Sequence, residues 1–109
     1  MNEKGSLKRK LLAEEIANIE LTKKEKLALE FLAEEAAEVI HIKSKIIRFG
    51  LNDVYNNQPD NKTRLSIEVG HIMAAISILT KAGIIDPKTV VLNQEIKKQE
   101  MKKELENYD

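Results

Sequence analysis

The chain has 109 residues, a mass of 12.4 kDa, 18 basic and 18 acidic side chains and no cysteine. This length predicts one domain over residues 1–109, and the lack of cysteine excludes disulfides and thiol chemistry. The balanced charge, with no long basic stretch, disfavours a nucleic-acid partner. No apolar run approaches the roughly 20 residues that cross a bilayer, and no segment of signal-peptide type follows the first residues. We therefore expect a cytoplasmic protein with no membrane partner.

Helix-forming residues dominate the composition, whereas glycine, proline and aromatic residues are scarce. Ser6 is a candidate cap for a first helix that runs to about residue 19. Thr22 and Glu25 form a Thr-x-x-Glu capping box, which predicts the start of a second helix over residues 23–49. Gly50 suits the position just past the end of that helix. The pattern predicts an all-α fold.

A loop rich in asparagine, aspartate and proline follows at residues 51–61. A third helix is predicted from about Lys62 to Ala82, ending at Gly83. Asp86 and Pro87 are typical of a cap and a first helical turn, and they predict a fourth helix to about residue 106. Apolar positions are sparse in this charged C-terminal segment, residues 87–107, which predicts an exposed arm or a partner-docking helix.

Two acidic clusters lie where these helices would normally place apolar residues. In the first, at residues 34–38, Glu35 and Glu38 fall on the same arc of the helical wheel as Phe31 and Ile42. Charged side chains rarely enter an apolar face unless they are paired or bind a metal ion. This placement predicts that the carboxylates face inward.

The second cluster lies on the third helix, at Glu68 and His71. On the wheel both residues lie opposite the polar side of the helix, beside Ala75 and Ala82, whose small side chains leave room. Carboxylate oxygens are the ligands that Mg²⁺ and Mn²⁺ prefer, so the two clusters together predict a divalent-cation site. Two alternatives stay open, namely a solvated acidic face and ion pairs within the helix.

The two clusters, in this order, resemble the all-α nucleoside triphosphate pyrophosphohydrolases of the MazG type. The signature of that family is Glu-Glu-x-x-Glu on one helix and Glu-x-x-Asp on the next. Residues 34–38 match the first part in full, whereas residues 68–71 match the second with His71 where the family usually has Asp. Residues 32–39, 45–50 and 67–70 are also similar to short, phage-associated members. The resemblance covers roughly residues 25–85.

The resemblance implies a four-helix bundle, usually completed by dimerisation, which cleaves a nucleoside triphosphate to the monophosphate and pyrophosphate. It implies that Mg²⁺, or Mn²⁺ in its place, is held by Glu35, Glu38 and Glu68. Glu34 would be a further ligand or would orient the attacking water, so all four glutamates are candidate catalytic residues. A homodimer or a homotetramer is the expected assembly.

His71 is the departure from the family signature. Imidazole is a poor ligand for Mg²⁺ and a better one for Mn²⁺, Zn²⁺ and other transition-metal ions. We expect either weak activity with Mg²⁺, a changed metal preference or a retired active site. The alternative is a core histidine that is hydrogen-bonded to Glu68 or to a backbone carbonyl.

Three residues near the end of the second helix are candidate substrate contacts. Lys45 lies on the acidic side of that helix and is placed to reach a phosphate, as is Arg48 with a less favourable orientation. Asn52, in the loop, is a candidate contact for the base or the sugar. Each has a simpler interpretation: basic residues in a last turn favour the helix dipole, and asparagine commonly forms turns.

Three functions are compatible with these sequence features. The leading one is a metal-dependent nucleoside triphosphate pyrophosphohydrolase. The second is a noncatalytic helical interaction protein with a degenerate metal site, and the third is an enzyme similar to phosphoribosyl-ATP pyrophosphohydrolase. The sequence leaves the base, the sugar and the number of metal ions open.

Overall fold

A computed structural model describes residues 21–108, which form three α-helices and no strand in this range. They are α1 (Lys23–Phe49), α2 (Asn61–Lys81) and α3 (Pro87–Glu106). The all-α class is thus confirmed for residues 21–108, whereas the four-helix bundle and the dimer stay predictions. The helix predicted at residues 6–19 lies outside the described residues.

Short polar side chains start each helix. The predicted capping box is present at α1, where Glu25 N–H donates to Thr22 Oγ1 at 3.1 Å and Thr22 N–H donates to Glu25 Oε1 at 3.2 Å. Asp60 accepts from Thr63 N–H at 2.8 Å and thereby starts α2 one residue earlier than predicted. Asp86 caps α3, with Pro87 in the first turn as expected.

The helices α1 and α2 pack against each other as an antiparallel hairpin. Its small core contains Ala28 and Ile42 from α1 and Ala75 and Leu79 from α2. All buried residues of the described chain belong to these two helices, and α3 contributes none. The hairpin therefore positions any site that needs residues from both acidic clusters.

Asn61 closes the connection between the two helices. Its side chain is 2% exposed, and Nδ2 donates to the Gly50 carbonyl at 2.9 Å. Gly50 has φ 95°, a conformation that favours glycine. The backbone N–H of Asn61 also donates to the Asp53 carbonyl at 3.1 Å. These bonds hold the ends of the hairpin loop together, which fixes the register of α2 against α1.

None of the helices in the described range is long and apolar enough to span a membrane.

Candidate metal centre

Glu35 of α1 meets Glu68 and His71 of α2 across the hairpin. Each of the three offers one ligand atom, and these atoms all lie within 4.8 Å of one another. Glu68 and His71 are three residues apart and so share one face of α2. The antiparallel packing brings that face to the level of Glu35. The group has the composition and the spacing to hold a metal ion.

His71 joins the two carboxylates. Its Nδ1 lies 3.2 Å from Glu35 Oε2, within hydrogen-bond distance, and 3.4 Å from Glu68 Oε2. The histidine side chain is 52% exposed, whereas those of Glu35 and Glu68 are 27% and 16% exposed. His71 is thus not a core histidine; it lies at the mouth of the group, above the more buried acids.

Glu68 Oε2 has almost no exposed surface, and it has no hydrogen-bond partner among the described residues. The His71 contact is close enough for an ion pair, but it does not meet the geometry of a hydrogen bond. A buried carboxylate oxygen without a partner costs free energy. A bound cation would supply the missing partner, so this oxygen fits the metal interpretation.

The protonation of the three groups is linked. Protonated Glu68 can donate a hydrogen bond to the Glu35 carboxylate, which raises the pKa of Glu68 above its ordinary value, and burial and the charge of Glu35 add to this rise. The same hydrogen bond lowers the pKa of Glu35, and His71 lowers it further. The pKa of His71 is raised, first by its hydrogen bond to Glu35 and then by the charges of both acids. The shifts of Glu68 and His71 thus favour bound protons, whereas that of Glu35 favours the ionised carboxylate.

A shallow groove with a volume of about 230 Å³ runs past the metal-ligand group. Glu35 and His71 form its polar end, and Ala74, Ala75, Phe31 and Ile78 form the rest. Ala75 lines the groove, as its place beside Glu68 and His71 on the helical wheel suggested, whereas the other predicted alanine, Ala82, does not.

Two of the predicted acidic residues do not join the group. Glu34 and Glu38 are exposed, and the set of converging ligand atoms contains neither. Glu38 differs here from the expectation of an inward-facing ligand. A step of three residues rotates the side chain by about 60° around α1 relative to Glu35, and α2 packs on the Glu35 side. The wheel placed both residues on one arc, but only the hairpin partner determines which part of the arc is covered.

The predicted substrate contacts lie at the far end of α1. Lys45 Nζ lies over the ring of Tyr55, 5.0 Å from its centroid, and Arg48 lies over Phe49 at 5.1 Å. Asn52 is exposed in the loop. Lys45 is ten residues beyond Glu35, a distance of about 15 Å along a helix. These residues thus form no common cluster with the metal-ligand group.

The alternative of ion pairs within α1 finds no support. Lys24 and Lys45 make no ion pair within 4.0 Å of a carboxylate in the part of the chain that the structure describes. Sequence reasoning did not single out Phe31 and Ala74 as groove residues or Asn61 as the loop anchor. Only Phe31 had a sequence signal, since it shares the wheel arc of Glu35.

No family model, curated protein or solved structure matches the chain.

Proposed function

We propose that the protein is a metal-dependent nucleoside triphosphate pyrophosphohydrolase. The observation that carries the proposal is the convergence of Glu35, Glu68 and His71 from two helices. The resemblance to MazG-type enzymes anticipated that residues 35 and 68–71 would meet. Phosphoryl transfer depends on charge neutralisation and positioning more than on covalent help, and carboxylates on packed helices provide such positioning.

Glu35, Glu68 and His71 would hold the ion. One imidazole and two carboxylates favour Mn²⁺ or another transition-metal ion over Mg²⁺, which prefers oxygen ligands. A bound divalent cation supplies charge neutralisation for the triphosphate and makes a water molecule more acidic. The unpartnered Oε2 of Glu68 supports the fit.

The chain's own residues would orient the substrate. Glu34 and Glu38, on the exposed side of α1 within one turn of Glu35, would position the water or a second cation. That water attacks the α-phosphorus, the bond from this phosphorus to the α–β bridging oxygen breaks, and pyrophosphate leaves. Lys45, Arg48 and Asn52 would contact more distant parts of the nucleotide. The base and the sugar stay open.

The groove suggests that one copy does not enclose the substrate. Its volume of about 230 Å³ is below the roughly 300 Å³ at which small-molecule pockets usually begin. Its apolar residues Phe31 and Ile78 are exposed, as are Leu27 and Met73 of the same hairpin. A homodimer or homotetramer in which a second hairpin covers these side chains would enlarge the site. Sedimentation of the full chain tests this assembly.

A noncatalytic interaction protein on the same fold is the second candidate. One observation favours it: α3 buries none of its residues and remains available for a partner. His71 in place of the family's aspartate also agrees with a site that has lost catalysis.

One experiment separates the two candidates. The full chain is incubated with each common nucleoside triphosphate and Mg²⁺ or Mn²⁺ in ¹⁸O-labelled water. The enzyme releases pyrophosphate, faster with Mn²⁺, and puts the label in the nucleoside monophosphate. If no nucleotide and metal combination releases pyrophosphate, and metal addition leaves the melting temperature unchanged, the pyrophosphohydrolase is excluded.

Matched variants locate the activity. Glu68→Gln removes a ligand charge at nearly constant shape, and we expect it to abolish both the release and the metal-dependent stabilisation. Glu30→Gln makes the same chemical change at an exposed position of α1 outside the group and should behave as the wild type. His71→Asp should raise the affinity for Mg²⁺. Unchanged Mg²⁺ binding in calorimetry would contradict the ligand set.

A further inference from the structure

One side of α3 carries an arc of mostly apolar side chains, interrupted by Gln94 and Lys98, that the described chain leaves uncovered. At about 100° per residue, an arc of roughly 100° contains most of the large apolar side chains of this segment. Its apolar members are Val90, Val91, Met101 and Leu105, and all of them are exposed; Tyr108, two residues beyond the end of α3, is exposed as well. Gln94 and Lys98 are the polar members of the same arc. The remaining two large apolar residues of α3, Leu92 and Ile96, lie on a different side.

The spacing of the arc is that of a helix-pairing seam. Residues 91, 94, 98, 101 and 105 of α3 alternate steps of three and four, as the a and d positions of a heptad pattern do. Side chains at such positions meet only when a second helix packs alongside. Two polar members among five weaken the pairing but restrict its register, because they disfavour other alignments.

Charges beside the seam select one orientation. An antiparallel pairing of two α3 helices sets residue 94 opposite residue 105 of the second copy. It then brings Glu95 next to Lys102 of the second copy, and Lys97 next to Glu104 of the second copy. By symmetry each pair occurs twice, so four opposite-charge pairs flank the seam. A parallel pairing would instead bring Lys97 next to Lys102, which are like charges.

The flanking side chains make only exposed contacts within α3, among them a hydrogen bond that Gln99 Nε2 donates to Glu95 Oε1 at 3.1 Å. Lys97 Nζ lies 3.4 Å from Glu100 Oε2 within its own helix, but both side chains are more than 60% exposed. Exposed pairs of this kind contribute little and exchange readily. The stem of Lys98 can cover Met101 of the second copy while its ammonium group stays in water.

We propose that the apolar arc of α3 binds the same arc of a second copy of this chain, with the two helices antiparallel. The opposite charges that flank the arc in this orientation carry the inference. It concerns a surface separate from the metal-ligand group and does not depend on the proposed activity.

The absence of cysteine in the chain permits a direct test. Full-length Gln94→Cys and Leu105→Cys variants are mixed, one of them with a tag, and oxidised. In the antiparallel pair the two cysteines face each other, and the mixed disulfide should form. Residue 94 of one copy lies about 16 Å along the helix from residue 94 of the other, so Gln94→Cys alone should cross-link slowly. Ile96→Cys mixed with Leu105→Cys is the control for random collision.

Two results would overturn the proposal. One is a mixed disulfide no faster than that of the Ile96→Cys control, which would mean that another partner or solvent covers the arc. The other is self-linking of Gln94→Cys as fast as the mixed reaction, which would indicate a parallel pair.

Charge reversal in the cysteine variants tests the flanking pairs. Lys97→Glu turns two attractive contacts into repulsive ones and should lower formation of the mixed disulfide about tenfold. Glu104→Lys should do the same, and the two changes together should restore the wild-type yield. An effect of either single change that the double change does not reverse would contradict the pairing. Metal-induced stabilisation and pyrophosphate release, measured on the same charge variants, should not change, so the two proposals fail independently.

Discussion

Replacing Glu68 by glutamine should stabilise the metal-free protein. In the folded chain Glu68 lies against Glu35, and its Oε2 is buried without a hydrogen-bond partner among the described residues. An amide removes the repulsion between the carboxylates and can donate a hydrogen bond to Glu35. An unsatisfied buried polar group costs about 1–3 kcal/mol. We therefore expect the free energy of unfolding to rise by about 1–2 kcal/mol at about pH 8, equivalent to about 5–10 °C in Tm.

The increase in the free energy of unfolding caused by Glu68→Gln should become larger as the pH rises. Hydrogen bonding to Glu35 raises the pKa of Glu68 above 4.5, so the folded chain binds this proton more tightly than the unfolded chain. The wild type keeps the corresponding stability below about pH 4.5 and loses it as the pH rises through the raised pKa. Glu68→Gln should thus differ little from the wild type at about pH 4 and exceed it at about pH 8.

Urea denaturation in a chelating buffer at both pH values measures the effect, with Glu30→Gln as the exposed control. With saturating Mn²⁺ the wild type should become more stable than Glu68→Gln. A ligand at 100 times its Kd adds about 2.7 kcal/mol to the free energy of unfolding, and only the wild type binds the ion. A Glu68→Gln variant that is less stable than the wild type at the higher pH, or equally more stable at both pH values, would contradict the unpartnered, repelled carboxylate. Either result would mean that Glu68 is a satisfied structural carboxylate.

Further predictions concern the metal site and the hairpin. Mn²⁺ affinity should rise with pH, because the raised pKa of His71 makes protons compete with the ion for this side chain. Equal Mn²⁺ affinities below and above neutral pH, measured by calorimetry, would exclude His71 as a metal ligand. Asn61→Ala should lower the free energy of unfolding by about 1–3 kcal/mol, since it leaves the Gly50 carbonyl without its hydrogen-bond donor. The control Asn57→Ala, in the exposed loop, should have little effect in the same urea titration. Leu79→Ala, at a fully buried position, should cost about 2–5 kcal/mol, and a loss no larger than that of exposed Leu92→Ala would contradict the described core.

Local signals in the sequence were sufficient to predict the three helices of residues 21–108 to within about one residue at their starts. Thr22 with Glu25 and Asp86 with Pro87 predicted two of the three helix starts, because capping depends on side chains within one turn. The start of α2 at Asn61 differs by one residue from the predicted start, because Asp60, within the polar loop segment, caps the helix. Local signals of this kind act over a few residues and can be recognised without knowledge of the packing.

Which acidic residues meet depends on how α2 packs against α1. Glu35 and Glu38 were equivalent on the helical wheel, yet α2 covers the side of α1 that bears Glu35. The register of the hairpin, held by the hydrogen bonds of Asn61, sets His71 opposite Glu35. The Asn61 bonds join residues 8 and 11 positions apart, yet the alignment that they support brings together Glu35 and His71, which are 36 positions apart, and no local pattern encodes it. Periodicity predicted two acidic faces, whereas the metal-ligand group arises from their alignment.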